Sequence, residues 1–72
     1  MTRATRGLRV VAYSNDGIEI RQTIRYYDDD GNLVKAPVIR VVEKKANDHE
    51  TLEAVKKRAE EKLAKKLKEL GL

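Results

Sequence analysis

The residues able to do covalent chemistry are few and scattered. The chain has one histidine, His49, one serine, Ser14, and no cysteine. A nucleophilic hydroxyl or thiol needs a base within hydrogen-bond reach and a third group to orient that base. Ser14 lies in the turn-forming run Ser14-Asn15-Asp16-Gly17, and His49 precedes a helical stretch with no second ligand or nucleophile beside it. There is no Ser/His/Asp or Cys/His constellation, no P-loop and no dinucleotide-binding glycine pattern. Without cysteine neither a disulfide framework nor a thiolate zinc site is available. The one acidic cluster, Asp28-Asp29-Asp30-Gly31, invites comparison with a calcium loop. Placing Gly31 at that loop's obligatory glycine puts Tyr26 first and Pro37 last, where carboxylates are required, so the cluster reads as a charged hairpin turn. The expectation is a non-enzymatic chain with no cofactor and no metal.

What remains is binding chemistry, carried by arginines at alternate positions of strand-like segments. Arg9, Val11 and Tyr13 share one parity, as do Arg21, Thr23, Arg25 and Tyr27 with Glu19, and Arg40 with Val38 and Val42. On strands, equal parity means one face, so Arg9, Val11, Tyr13, Arg21, Thr23, Arg25, Tyr27 and Arg40 form the candidate binding face. Guanidinium forks match phosphates and guanine edges, and tyrosines between them supply stacking surface, which makes a sheet-face nucleic-acid binder one reading. A second is a protein-binding or self-associating face. A third is an ordinary solvated face, in which β-branched and aromatic residues stand because strands favour them. The charge distribution is a modest guide. Residues 1–46 hold nine basic against six acidic groups, and 47–72 seven against six, within a formal net charge of +4.

These residues must be positioned by a small single domain spanning residues 1–72. Leu, Ile and Val make up a quarter of the chain, enough for one small core. No apolar run approaches membrane-spanning length, and the N-terminus leads into strand-like alternation instead of a signal-peptide core, so a soluble protein of unassigned compartment is expected. Turn chemistry divides the first half into strands at 7–14, 18–27 and 33–42, and a helical period follows over 48–70. The predicted fold is α+β: a three-stranded antiparallel β-meander in the order 1-2-3, with one C-terminal α-helix packed across one face. A three-residue first loop sets Leu8 opposite Ile24, Val10 opposite Gln22 and Ala12 opposite Ile20, and is preferred because a shorter loop mixes arginine into the buried face.

The inward set is then Leu8, Val10, Ala12, Ile18, Ile20, Ile24, Tyr26, Val34, Ala36, Ile39 and Val41, facing a helix stripe of Leu52, Val55, Ala59, Leu63, Leu67 and Leu70. Val34 and Ala36 differ in parity from Ile39 and Val41, so the third strand must bulge near Pro37, which suits a sheet edge. Gln22 is the odd inward residue and demands a hydrogen-bond partner. Asn47 with Glu50 resembles a capping box, and Gly71 is placed for a left-handed C-cap. Strand one leaves residues 8–14 along an unpaired edge, a place for a second copy or a partner strand.

Two resemblances follow. Residues 48–72, DHETLEAVKKRAEEKLAKKLKELGL, look like the capped, ion-pair-laced Glu/Lys/Ala/Leu helices of computationally designed small α+β proteins, and the NDG and DG turns agree. That resemblance implies a de novo scaffold or protein-binding module. Residues 20–37, IRQTIRYYDDDGNLVKAP, resemble a hairpin of the positive-cofactor-type transcriptional coactivators, dimeric sheet proteins that bind single-stranded DNA. Val38-Ile39-Arg40 stands where that family has Gly-Ile, and the helix lacks its tryptophan.

Overall fold

A computed structural model describes residues 2–72. The chain forms β1 (Arg3–Tyr13), β2 (Gly17–Tyr27), β3 (Leu33–Lys35), β4 (Val38–Lys44) and α1 (Leu52–Glu69). All pairings are antiparallel: β1 and β3 both pair with β2, and β4 pairs with β2 as well. The architecture is the expected α+β sheet with one C-terminal helix, but among the described residues there are four strands and not three. The predicted strand 33–42 is broken at Ala36-Pro37, where proline cannot donate to the ladder. The two pieces stay in line because the Pro37 carbonyl accepts from Ile24 N–H at 2.9 Å. Ile39 and Val41 lie on the helix side, as parity requires, whereas Val34 and Ala36 are exposed.

The helix packs on β2 and β4, running from the Gly17 end of β2 toward Ile24. Its Val55, Ala59, Leu63 and Leu67 meet Ile18, Ile20, Ile24 and Val41, and these eight form the buried core. Leu70, assigned to the stripe from sequence, is about half exposed beside Val38, Ile39 and Arg40 at the margin of the sheet and stays out of the core. At about 1.5 Å per residue α1 is about 27 Å long, while the molecule extends 51 Å, so the tip of the β2–β3 hairpin projects past the helix.

The helix starts four residues later than the sequence suggests. Thr51 is its N-cap, accepting from Ala54 N–H, while Asn47 caps a separate turn by accepting from His49 N–H. Glu50 reaches Ala46 N–H, so the anticipated capping box is not formed at the helix end. At the other end Gly71 has φ +80°, with Gly71 N–H on the Lys68 carbonyl and Leu72 N–H on the Leu67 carbonyl, a Schellman arrangement.

The register of β1 departs from expectation by one residue. Tyr13 pairs with Ile18, Val11 with Ile20 and Arg9 with Gln22, closed by a two-residue Asn15-Asp16 loop with Ser14 N–H on the Gly17 carbonyl. Leu8, Val10 and Ala12 therefore do not enter the core and are exposed, while Val11 packs against it. Between Arg6 and Arg9 the strand bulges, so that Gly7 and Leu8 together oppose Thr23. Gln22, 5% exposed, supplies the partner its position demands: Nε2 donates to the Gly7 carbonyl at 2.9 Å and to the Leu8 carbonyl at 3.3 Å.

Gly17 is fixed by close approach of β4: a Cβ there would lie 2.3 Å from the Glu43 carbonyl oxygen and 3.0 Å from Lys44 Cα. Backbone cannot yield as a side chain can. Gly17→Ala is expected to cost more than about 2 kcal/mol in denaturant unfolding, whereas Gly31→Ala, at φ +85° with open space around it, should cost about 1 kcal/mol. Equal losses would contradict the close packing at Gly17.

Candidate interaction surface

Because opposed residues of an antiparallel pair share a face, the register sorts the predicted binding residues. Arg21, Thr23, Arg25 and Tyr27 of β2 and Arg40 of β4 lie on the face opposite the helix, as anticipated. Arg9, Val11 and Tyr13 do not join them. They lie on the helix side, where Val11 is half-buried and Arg9 Nη2 meets Glu60 Oε1 of α1 at 2.6 Å. Their places on the open face are taken by Val10 beside Arg21 and Ala12 beside Glu19. The sequence signal that would have located Arg9 is its bond to a carboxylate far along the chain, which no local pattern carries.

The open face is thus built in rows across the strands. Val10, Arg21 and Arg40 form one row; Ala12, Glu19 and Val42 form the next; Thr23 stands beside Val38, and beyond them Arg25 faces Thr5 and Tyr27 faces Arg3. Two arginines side by side repel one another, and Glu19 resolves this. Its Oε1 accepts from Arg21 Nε at 3.0 Å and its Oε2 from Arg40 Nε at 2.5 Å. The hydrogen bond from Arg40, with help from Arg21, holds the Glu19 carboxyl below its ordinary range against the opposing effect of partial burial. At the far end Arg3 sits 6.0 Å from the centre of the Tyr27 ring, and on the other face Lys35 Nζ lies 4.6 Å from that of Tyr26. Val10, Val38 and Val42 are each about half exposed, and Leu8 in the bulge is 68% exposed.

The charged cluster on the helix side serves the fold. Arg58 donates to both oxygens of Glu50, to Glu43 Oε2 at 3.2 Å and to the Lys44 carbonyl at 2.7 Å, while Lys62 pairs with the other oxygen of Glu43. One guanidinium thereby ties the β4–α1 connection to both elements it joins. Asp28 organises the hairpin turn, its carboxylate accepting from Asn32 and Asp30 N–H, which lowers its pKa. Among the described residues no group of His, Asp and Glu side chains could hold a metal ion, and no helix is long and apolar enough to cross a membrane. The chain matches no protein-family model, no curated protein and no solved structure.

The Arg58 cluster makes stability depend on acid. The hydrogen bonds from Arg58 and then from Ala46 N–H lower the Glu50 pKa from 4.5 to about 2. Lys62 and then Arg58 also hold Glu43 below 4.5. A depressed carboxylate stabilises the folded state fully above its unfolded pKa and loses that contribution as pH falls through the folded value. Urea midpoints should therefore fall between pH 5 and pH 2.5, and Arg58→Ala should remove much of that slope while lowering stability at pH 7. An unchanged slope in the variant would contradict the assignment.

Proposed function

We propose that this chain is a non-enzymatic scaffold of the idealised, designed kind, acting as a protein-binding module through the open face of its sheet. The observation that carries this is the composition of the face: Leu8, Val10, Val38 and Val42 stand exposed among arginines. Apolar side chains interleaved with arginine suit the centre of a protein interface, where charged residues other than arginine are scarce. Two of the arginines, Arg21 and Arg40, are already held by Glu19, which leaves Arg25 and Arg3 as the cations least engaged by carboxylates. The fitting partner is a protein surface with an apolar centre and carboxylates at its rim. A nucleic-acid binder using these arginines draws less support, because Glu19 offsets charge that phosphates would need and Arg9 is committed to Glu60 on the other side.

The test is a selection of displayed random peptides on the wild-type chain, followed by rebinding to variants. Selected peptides should be apolar with Asp or Glu, and should bind Val42→Glu and Arg25→Glu at least about tenfold more weakly, a loss of about 1.4 kcal/mol. They should keep their affinity for Lys57→Glu on the solvent side of α1. Circular dichroism verifies that each variant retains the helix. Undiminished binding to the face variants would remove the proposal. Tighter binding of single- or double-stranded DNA in 50 mM salt, lost with Arg25→Glu, would transfer the face to nucleic acid.

A further inference from the structure

The two edges of the sheet are unlike. On β4, pairing of Ile18 with Glu43 and Ile20 with Val41 accompanies ladder bonding on that side of β2, and Ile24 N–H on the Pro37 carbonyl continues the same alternation. The backbone groups of Val38, Arg40, Val42 and Lys44 then point outward. Two of these four outward carbonyls are engaged by the helix: Lys66 Nζ approaches the Arg40 carbonyl at 3.4 Å and Arg58 Nη2 the Lys44 carbonyl at 2.7 Å. Pro37 breaks the edge between β3 and β4. Two helix side chains and the proline thus obstruct this edge against another strand.

The β1 edge has no such cover. Ser14 N–H bonds to the Gly17 carbonyl, so alternate residues Ala12 and Val10 turn their backbone groups toward β2. Arg9, Val11 and Tyr13 turn theirs away, and among the described residues no helix side chain bonds to these backbone groups, Glu60 meeting only the Arg9 guanidinium. The straight part of this edge is short and bounded. The Gly7–Leu8 bulge ends it on one side and the Ser14 turn on the other, leaving Arg9 to Tyr13 with Val11 at its centre.

We propose that two copies of this chain pair antiparallel along β1, about a two-fold axis through Val11. The segment is complementary to its own reverse, which is why the occupant is a second copy. Only an axis at Val11 overlaps the whole segment. It sets Val11 against Val11 and Arg9 against Tyr13 on the helix side, with Val10 against the smaller Ala12 on the open face. Tyr13, 57% exposed in the single chain, gains a guanidinium across the strands. Glu60 of the same chain already offsets the charge of Arg9, which reduces the repulsion between the two like-charged copies at this edge. On the order of six backbone hydrogen bonds form. Both helices then lie on one side, and the two open faces join into one. The contact needs the edge alone, so it stands or falls separately from the proposed use of the open face.

Sedimentation equilibrium of the wild-type chain over rising concentration should show the mass climbing from 8.2 kDa toward twice that value. Val11→Pro removes an outward donor and no ladder bond, and should raise the dissociation constant by about tenfold or more. Val38→Glu, on the open face, should leave dimerisation unchanged. The axis is tested by single cysteines in a chain that has none. Val11→Cys should form an interchain disulfide rapidly with oxidised glutathione. Tyr13→Cys should not, because the two Tyr13 positions lie about 13 Å apart, beyond disulfide reach, but should cross-link to Arg9→Cys when the two are mixed. A chain that stays monomeric at every concentration, or Tyr13→Cys cross-linking to itself faster than Val11→Cys, overturns the proposal.

Discussion

The amide of Gln22, donating to two carbonyls of the β1 bulge, is the contact on which the arrangement of both sheet faces depends. A bulge adds one residue to one strand and so inverts the parity of everything beyond it. Ala4 is even-numbered and Val11 odd, yet both pack against the helix-side core, because Gly7 and Leu8 together oppose a single residue of β2. Without the extra residue, one half of β1 would present the opposite face. The Gly7 and Leu8 carbonyls at the bulge both accept from this buried amide on the central strand, which satisfies a polar group that would be costly to leave unpaired. Gly7 suits the site, since a Cβ there would lie 3.0 Å from the Thr23 carbonyl oxygen.

From that register follow the properties bearing on function. The helix covers β2 and β4 but not β1, so the helix-side residues of β1 need not all be apolar: Arg9 can extend to Glu60 at the margin of the helix. Leu8, Val10 and Ala12 move to the open side, making that face richer in apolar surface than alternating arginines alone would suggest. Glu19 permits Arg21 and Arg40 to stand opposite each other. The helix also engages two carbonyls of the β4 edge through Arg58 and Lys66 and none of the β1 backbone among the described residues. An open face and one bare edge are the interaction surfaces that this economy of elements leaves available.

Much of this is legible in the residues themselves. The 3.6-residue stripe of Val55, Ala59, Leu63 and Leu67, the inward Ile18, Ile20 and Ile24, the glycine cap at Gly71 and the interruption at Pro37 each arise from local rules that no tertiary contact overrides. Gln22 even announces, by its polarity at a buried position, that a partner exists. The register of β1 is not legible, because Leu8, Val10 and Ala12 form an apolar alternation that mimics a core-facing strand. The rule that charge stays out of a buried face fails at an edge strand outside the helix footprint. The helix start is displaced because Asn47 and Thr51 both offer cap chemistry, and Glu50 is drawn to Arg58 and Ala46 N–H. Such competition is decided by contacts between distant segments.

The bulged register can be read directly by solution NMR, because residues facing each other in a non-hydrogen-bonded pair bring their Hα atoms close. Short Hα–Hα contacts are predicted between Val11 and Ile20, Arg9 and Gln22, and Arg6 and Ile24, which are compatible only if one extra residue lies between Arg6 and Arg9. Contacts joining Ala12 to Ile20 and Val10 to Gln22 would place Leu8, Val10 and Ala12 under the helix, and would contradict the account of both faces.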